Sequence, residues 1–177
     1  MHSTTSTQYE KACFGMGCFW CAEAIFRTVP GLQAFQVGYM GGTTADPDYR
    51  SVCTGTTGHA EVLHFEYSGG AARYAQLVQL FLQGHDPTSL NRQGADCGTQ
   101  YRSVIFYDSA EQEQTAMVTL QAAQEKYAQK IVTEISAASQ FYPAEPMHQN
   151  YFEHNLSAPY CQSVIQPKLD QLTGHGC

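Results

Sequence analysis

Apolar residues along the 177-residue chain recur with two periods, near two and near 3.6, and the alternation predicts strands interleaved with helices. Tyr9 to Phe14 reads as a short strand, Gly15-Met16-Gly17 as a tight turn, and Ala22 to Val29 as a helix burying Ile25 and Phe26. Leu32 to Tyr39 is a strand closed by Gly41-Gly42, and His59 to Tyr67 is another after a long, turn-rich connection. Tyr74, Leu77, Val78, Phe81 and Leu82 predict a helix over Ala71 to Gln83. A short strand at Val104 to Tyr107, a helical stretch from Ala110 to Lys130 and a last strand at Ile131 to Ile135 follow.

The order β-α-β-β-α-β followed by another helix fits an α+β two-layer sandwich with a split βαβ, ferredoxin-like core. From about residue 141, where Pro143, Pro146, Pro159 and Pro167 punctuate the chain, a long C-terminal coil is expected to wrap over that core, with a short helix near Gln149 to Glu153. The polar residues 1–8 read as a flexible arm, leaving 9–177 as a single domain, long enough to bury a core without covalent staples.

Charge and cysteine usage narrow the setting. Sixteen acidic residues against nine Lys and Arg give a formal charge of −7 with no basic cluster, which argues against nucleic acid and anionic membranes as partners. No apolar run approaches the roughly 18 residues of a membrane span. The seven cysteines (Cys13, Cys18, Cys21, Cys53, Cys97, Cys161 and Cys177) are an odd, scattered set, and Met1 to Ser6 lacks the basic and apolar regions of a signal peptide. The expectation is a reducing, cytoplasmic setting.

Cys18-Phe19-Trp20-Cys21 places a thiol between a Gly-rich turn and a helix. Helix N-terminal N–H groups favour negative charge, so a thiol there is expected to fall from its free value of about 8.5 toward roughly 3.5–7.5. Three further loops offer polar groups: Asp46-Pro47-Asp48-Tyr49-Arg50, Thr56-Thr57-Gly58-His59-Ala60-Glu61, and Gly94 to Arg102 with Asp96 and Tyr101. Taken singly, each has a plainer reading. Glu61 suits a solvated strand end, the tyrosines suit core edges, and Asp96 suits a turn. His59 and His148 are candidate bases for Cys18. A disulfide oxidoreductase using Cys18 and Cys21, a cysteine hydrolase, a zinc site and a non-catalytic peptide-binding domain all stay open on the residues alone. Cys13, Cys53 and Cys97 read as structural, with Cys53 buried after Val52.

Together the motifs resemble one family. Gly17-Cys18-Phe19-Trp20, Gly58-His59-Ala60-Glu61, His85-Asp86-Pro87-Thr88, Asn91-Arg92-Gln93-Gly94, Asp96 with Gly98-Thr99-Gln100-Tyr101-Arg102-Ser103, and Phe141-Tyr142-Pro143-Ala144-Glu145 are similar, in order, to the peptide methionine sulfoxide reductase A class. The likeness runs from about residue 11 to about residue 168. It implies reduction of methionine-S-sulfoxide, free or in proteins, as repair under oxidative stress. It makes Cys18 the nucleophile, Glu61 the acid that protonates the sulfoxide oxygen, Tyr49 and Tyr101 its hydrogen-bond donors, and Asp96 a supporting polar residue. Phe19 and Trp20 become apolar walls for the substrate methyl. It also implies that Cys161 resolves the Cys18 sulfenic acid, with Cys21 as the alternative and Cys177 as a possible third redox cysteine. Thioredoxin is the implied reductant; no metal or organic cofactor and a monomer are implied. A carboxyl donates at neutral pH only when burial raises its pKa, so Glu61 is expected to be buried.

Overall fold

Strand β1 (Glu10–Met16) lies in the middle of a six-stranded sheet in the computed structural model, which describes residues 6–174. The other strands are β2 (Gln33–Met40), β3 (Ala60–Tyr67), β6 (Ser103–Tyr107), β7 (Glu134–Ala137) and β8 (Tyr142–Pro143), in the order β7-β6-β1-β3-β2-β8. Only β6 and β7 pair in parallel. A separate two-stranded ladder joins β4 (Arg92–Gln93) to β5 (Asp96–Cys97). The helices are α1 (Phe19–Phe26), α2 (Tyr49–Cys53), α3 (Gly70–Gln83), α4 (Ala110–Ala123), α5 (Tyr151–His154) and α6 (Gln166–Thr173). The fold is thus mixed α/β, with a central sheet and helices packed on it.

The period-2 alternation sends β1 side chains to opposite faces. Phe14 anchors the main core, with its ring centroid 5.1–6.0 Å from those of Phe26, Phe65, Tyr74 and Phe81. Its neighbour Cys13 points to a smaller cluster on the other face with Met40, Val62, Val104 and Phe106. Truncating a buried phenylalanine of this kind costs about 3–5 kcal/mol.

Several expected boundaries move, each for a local reason. α1 starts at Phe19 rather than Ala22, because Phe19, Ala22, Glu23 and Phe26 already form its buried face. β1 continues through Met16, and the chain turns at Gly17, whose φ is +93°. α2 is too short to show a period; Asp48 starts it through a reciprocal capping box with Ser51. The helical stretch expected to Lys130 ends at Ala123 in a 3-10 turn, where the Gln124 side chain accepts the Ile131 N–H (2.8 Å) and folds the chain back. The last strand accordingly begins at Glu134, not Ile131.

The long C-terminal coil is the main correction. Beyond β8 the chain forms α5, a π-helical turn at Cys161–Ile165 and α6. Cys161 and Ile165, with the half-buried Leu169, recur at helical spacing against α1, a stripe that the flanking prolines obscure. Pro167 follows directly on the π-helical turn, inside a helical run that continues from 159 to 173. The arm expected over 1–8 lies outside the described residues for positions 1–5, as does Cys177.

Candidate active site

The end of β1 delivers the nucleophile candidate. A side chain at Gly17 would place its Cβ 2.7 Å from Gln93, so the left-handed turn and the close approach both require glycine there. Cys18 follows as the N-cap of α1, and its carbonyl accepts the Cys21 and Ala22 N–H groups at 3.1 and 3.3 Å. The residue is 9% exposed.

Glu61, on β3, is 1% exposed. Its Oε1 accepts the Phe19 N–H at 3.1 Å, and its Oε2 has no partner among the described residues. Burial pushes its pKa up to about 8, opposed by the Phe19 N–H and reinforced by charge on Asp96 and Cys21. At neutral pH this is a carboxylic acid holding a proton. An unpartnered Oε2 is where that proton is available to a bound acceptor.

Two phenols face the same carboxyl. Tyr49 and Tyr101 are both half-buried; burial first, then nearby charge that includes Glu61, pushes their pKa well above the ordinary range, so both stay donors. Tyr49 is held firmly at the start of α2, where its N–H donates to both oxygens of Glu145 (3.3 and 3.2 Å). Glu145 also accepts the Tyr39 hydroxyl at 3.2 Å.

The aromatic walls are set from behind. Trp20 stacks on Tyr151 with centroids 3.8 Å apart, and its Nε1–H donates to Nδ1 of His148 at 3.2 Å. The His148 ring packs on Tyr49 at 4.4 Å and on Phe19 at 5.6 Å. Burial lowers its pKa, so the imidazole is neutral and accepts from the indole. The segment around it is pinned by Gln149, which bonds both the N–H and the carbonyl of Val37 at 2.9 Å, and by the Asn150 N–H on Glu23 at 2.7 Å.

Neither histidine suggested as a base for Cys18 is bonded to it. His148 is committed to Trp20. His59 accepts the Gly42 N–H at 3.0 Å and meets the Thr44 carbonyl at 2.7 Å, bracing the loop before α2.

The thiol chemistry departs from expectation. Burial, then hydrogen bonding and charge from Cys21, then Glu61, push Cys18 well above the ordinary thiol range, and only the Tyr160 hydroxyl opposes. Its partner gains what it loses. The hydrogen bond from Cys18 brings Cys21 down to about 7. A helix start does not by itself ionise Cys18; burial and the neighbouring Cys21 sulfur raise it, and Cys21 is the more acidic of the two.

Cys161 is fully buried in the same cluster, against Ala24 and Ile165, and its thiol is raised by burial and by charge on Cys21. Tyr160, which the sequence marked only as a neighbour of Cys161, donates to Asp96 Oδ2 at 2.9 Å and lies 3.7 Å from Cys21 Sγ. Asp96 therefore meets the thiols through a phenol. Cys13 is buried, 3.9 Å from the Met40 sulfur, and Cys97 is exposed. Cys53 is exposed rather than buried: Val52 takes the core position and turns the next residue outward, beside Tyr49. Tyr39, Glu23 and Tyr160 carry no signal in the sequence, because each acts through a partner more than 60 positions away; Glu145 stands in a family-like motif, but its contact with Tyr49 does not show there.

Comparison with known proteins fits this arrangement. The model of the family described as peptide methionine sulfoxide reductase matches residues 10–176. The protein named peptide methionine sulfoxide reductase MsrA from Leptospira borgpetersenii serovar Hardjo-bovis is 48% identical over 162 residues, 92% of each chain. The crystal structure of Mxr1 from Saccharomyces cerevisiae in reduced form matches with a TM-score of 0.81 at 31% identity, over 89% of this chain and 94% of that one. Mxr1 in complex with Trx2 matches with a TM-score of 0.58 at 22% identity, over 85% and 89% of the two chains, a likeness of fold alone.

Proposed function

The chain belongs to the peptide methionine sulfoxide reductase family, and on that premise we propose how its own residues reduce methionine sulfoxide. The observation that carries the reading is Glu61, a buried acid whose Oε2 has no partner and whose pKa is about 8, set beside two protonated phenols and a buried thiol.

A sulfoxide presents an acceptor oxygen and a methyl group. Tyr49 and Tyr101 donate to the oxygen, while Phe19 and Trp20 receive the methyl; the S epimer is the one the family resemblance implies. Substrate binding draws the proton from Cys18 to Cys21, and the Cys18 thiolate attacks the sulfur. Glu61 delivers its proton as the S–O bond breaks. The protonated oxygen passes to the Cys18 sulfur as the new bond between Cys18 and the substrate sulfur breaks, so methionine departs with that electron pair and Cys18 is left as a sulfenic acid.

We place the first disulfide between Cys18 and Cys21, because the two stand one helical turn apart in the same buried cluster. Cys161, favoured by family resemblance, lies against Cys21 and suits a following exchange; a role for Cys177 falls outside the described residues. Thioredoxin is the reductant we infer, supported by the yeast relative's complex with Trx2. We further read residues 9–177 as one catalytic unit, monomeric and cytoplasmic. The order β6-β1-β3-β2 with α1 and α3 as crossovers supports a split βαβ, ferredoxin-like core.

The test is a single turnover of fully reduced protein on each epimer of a methionine sulfoxide peptide without reductant, followed by mass mapping. Product from the S epimer with a Cys18–Cys21 bond is expected. A Cys18–Cys161 bond moves the first disulfide, and no product from either epimer refutes the assignment.

A further inference from the structure

A cavity of about 590 Å³ is lined by both Cys18 and Cys21. Its walls include Asp96, Tyr160, Lys168 and Gln171, from β5, the chain before the π-helical turn, and α6. Phe19, Trp20, Tyr49, Glu61, Tyr101 and His148 are all absent from its lining. Cys18 and Cys21 thus border a cavity within the size range of small-molecule sites that the aromatic walls and proton donors of the sulfoxide site do not line.

We propose that this second cavity is the entrance of the thiol reductant, so that substrate and reductant approach the same sulfurs through separate openings. The inference rests on the disulfide chemistry proposed above. Cys161 does not line the cavity, which leaves Cys21 as the resolving sulfur accessible from it. The positive charge of Lys168 favours a thiolate at Cys21. The same ammonium assists an incoming thiolate.

The exchange balances as follows. Cys21, which holds the proton taken from Cys18, attacks the Cys18 sulfenic sulfur and gives that proton to the departing hydroxide, so that the disulfide forms and water leaves. A thiolate entering the cavity attacks Cys21 Sγ, and Cys18 departs as a thiolate. The second thiol of the reductant then attacks its own sulfur in the mixed disulfide, releasing Cys21 and closing the reductant's disulfide. Two electrons pass from the dithiol to the sulfoxide. A small dithiol and the exposed dithiol loop of a protein bring the same chemistry.

The experiment fills the cavity from its rim. Gln171 is exposed on α6 and is not among the residues that make the sulfoxide site, so Gln171→Trp is compared with Gln171→Ala and the parent in two assays. The first reads product from one turnover without reductant; the second reads steady-state recycling with dithiothreitol and, separately, with thioredoxin. In Gln171→Trp the first turnover should stay within twofold of the parent while kcat/KM for both reductants falls at least tenfold, with Gln171→Ala near the parent. A loss with thioredoxin alone overturns the entrance and leaves a surface contact between proteins. Unchanged recycling with both reductants overturns it, and a matching loss of the first turnover shows that the cavity is part of the sulfoxide site. Failure of the parent itself in the first turnover refutes the proposed function instead.

Discussion

Replacing Glu61 with glutamine removes the transferable proton while keeping the side chain's shape, and the structure sets what should follow. A carboxyl with a pKa of about 8 is about nine-tenths protonated at pH 7, against roughly 0.3% for an ordinary one. In the parent, the single-turnover rate should therefore fall about tenfold per pH unit above 8. Glu61→Gln should lose about 10²–10⁴-fold at pH 7 and lose the alkaline fall with it. Stability gives a second reading with a definite sign. A carboxyl raised in the folded state binds its proton more tightly there than in the unfolded chain. Its contribution is complete below the ordinary carboxyl range and is lost as pH rises to about 8, by at most about 1.4 kcal/mol per pH unit. Glu61→Gln should flatten that slope in urea titrations at pH 5 to 8. Rapid-quench measurement of methionine formation from pH 5.5 to 10 decides the matter. An identical alkaline fall in parent and variant refutes the assignment of the acid.

Three other perturbations probe the surroundings. Cys21→Ala removes the more acidic sulfur beside Cys18, so the acid limb of single turnover should move upward from near 7, with a loss of about 10–100-fold at pH 7; iodoacetamide labelling against pH checks it. His148→Ala leaves the Trp20 indole N–H without its acceptor. It should raise KM for the sulfoxide more than it lowers kcat and cost about 1–3 kcal/mol in urea unfolding, with His148→Gln recovering part of both. Gly17→Ala forces a side chain into a left-handed turn against Gln93. It should destabilise by about 1–3 kcal/mol and lower the first-turnover rate, because Cys18 is displaced with it; calorimetry and quench assays read the two effects.

The core elements and the first-hand chemistry were legible because they rest on local signals. Phe14, Phe26, Phe65 and Phe81 recur at strand or helix periods, and the motifs around Cys18, Glu61 and Asp96 lie in short ordered stretches. What the sequence hid is carried by contacts across long separations. Glu145 reaches Tyr49 over 96 positions and His148 reaches Trp20 over 128. The helical C-terminus hid behind its prolines, of which Pro167 falls inside the helical run. The ionisation of Cys18 was misread for a similar reason. A helix start is visible in sequence, whereas burial and the Cys21 sulfur beside it are products of the fold.

The resting state of Cys18 also bears on survival of the catalyst among oxidants. Peroxide and alkylators react with thiolates, and burial together with the Cys21 sulfur beside it holds the Cys18 thiol against ionisation. An enzyme that works where oxidants accumulate thus keeps its nucleophile disarmed between encounters, and the substrate itself supplies the trigger. The raised thiol is a safety catch as much as a nucleophile in reserve.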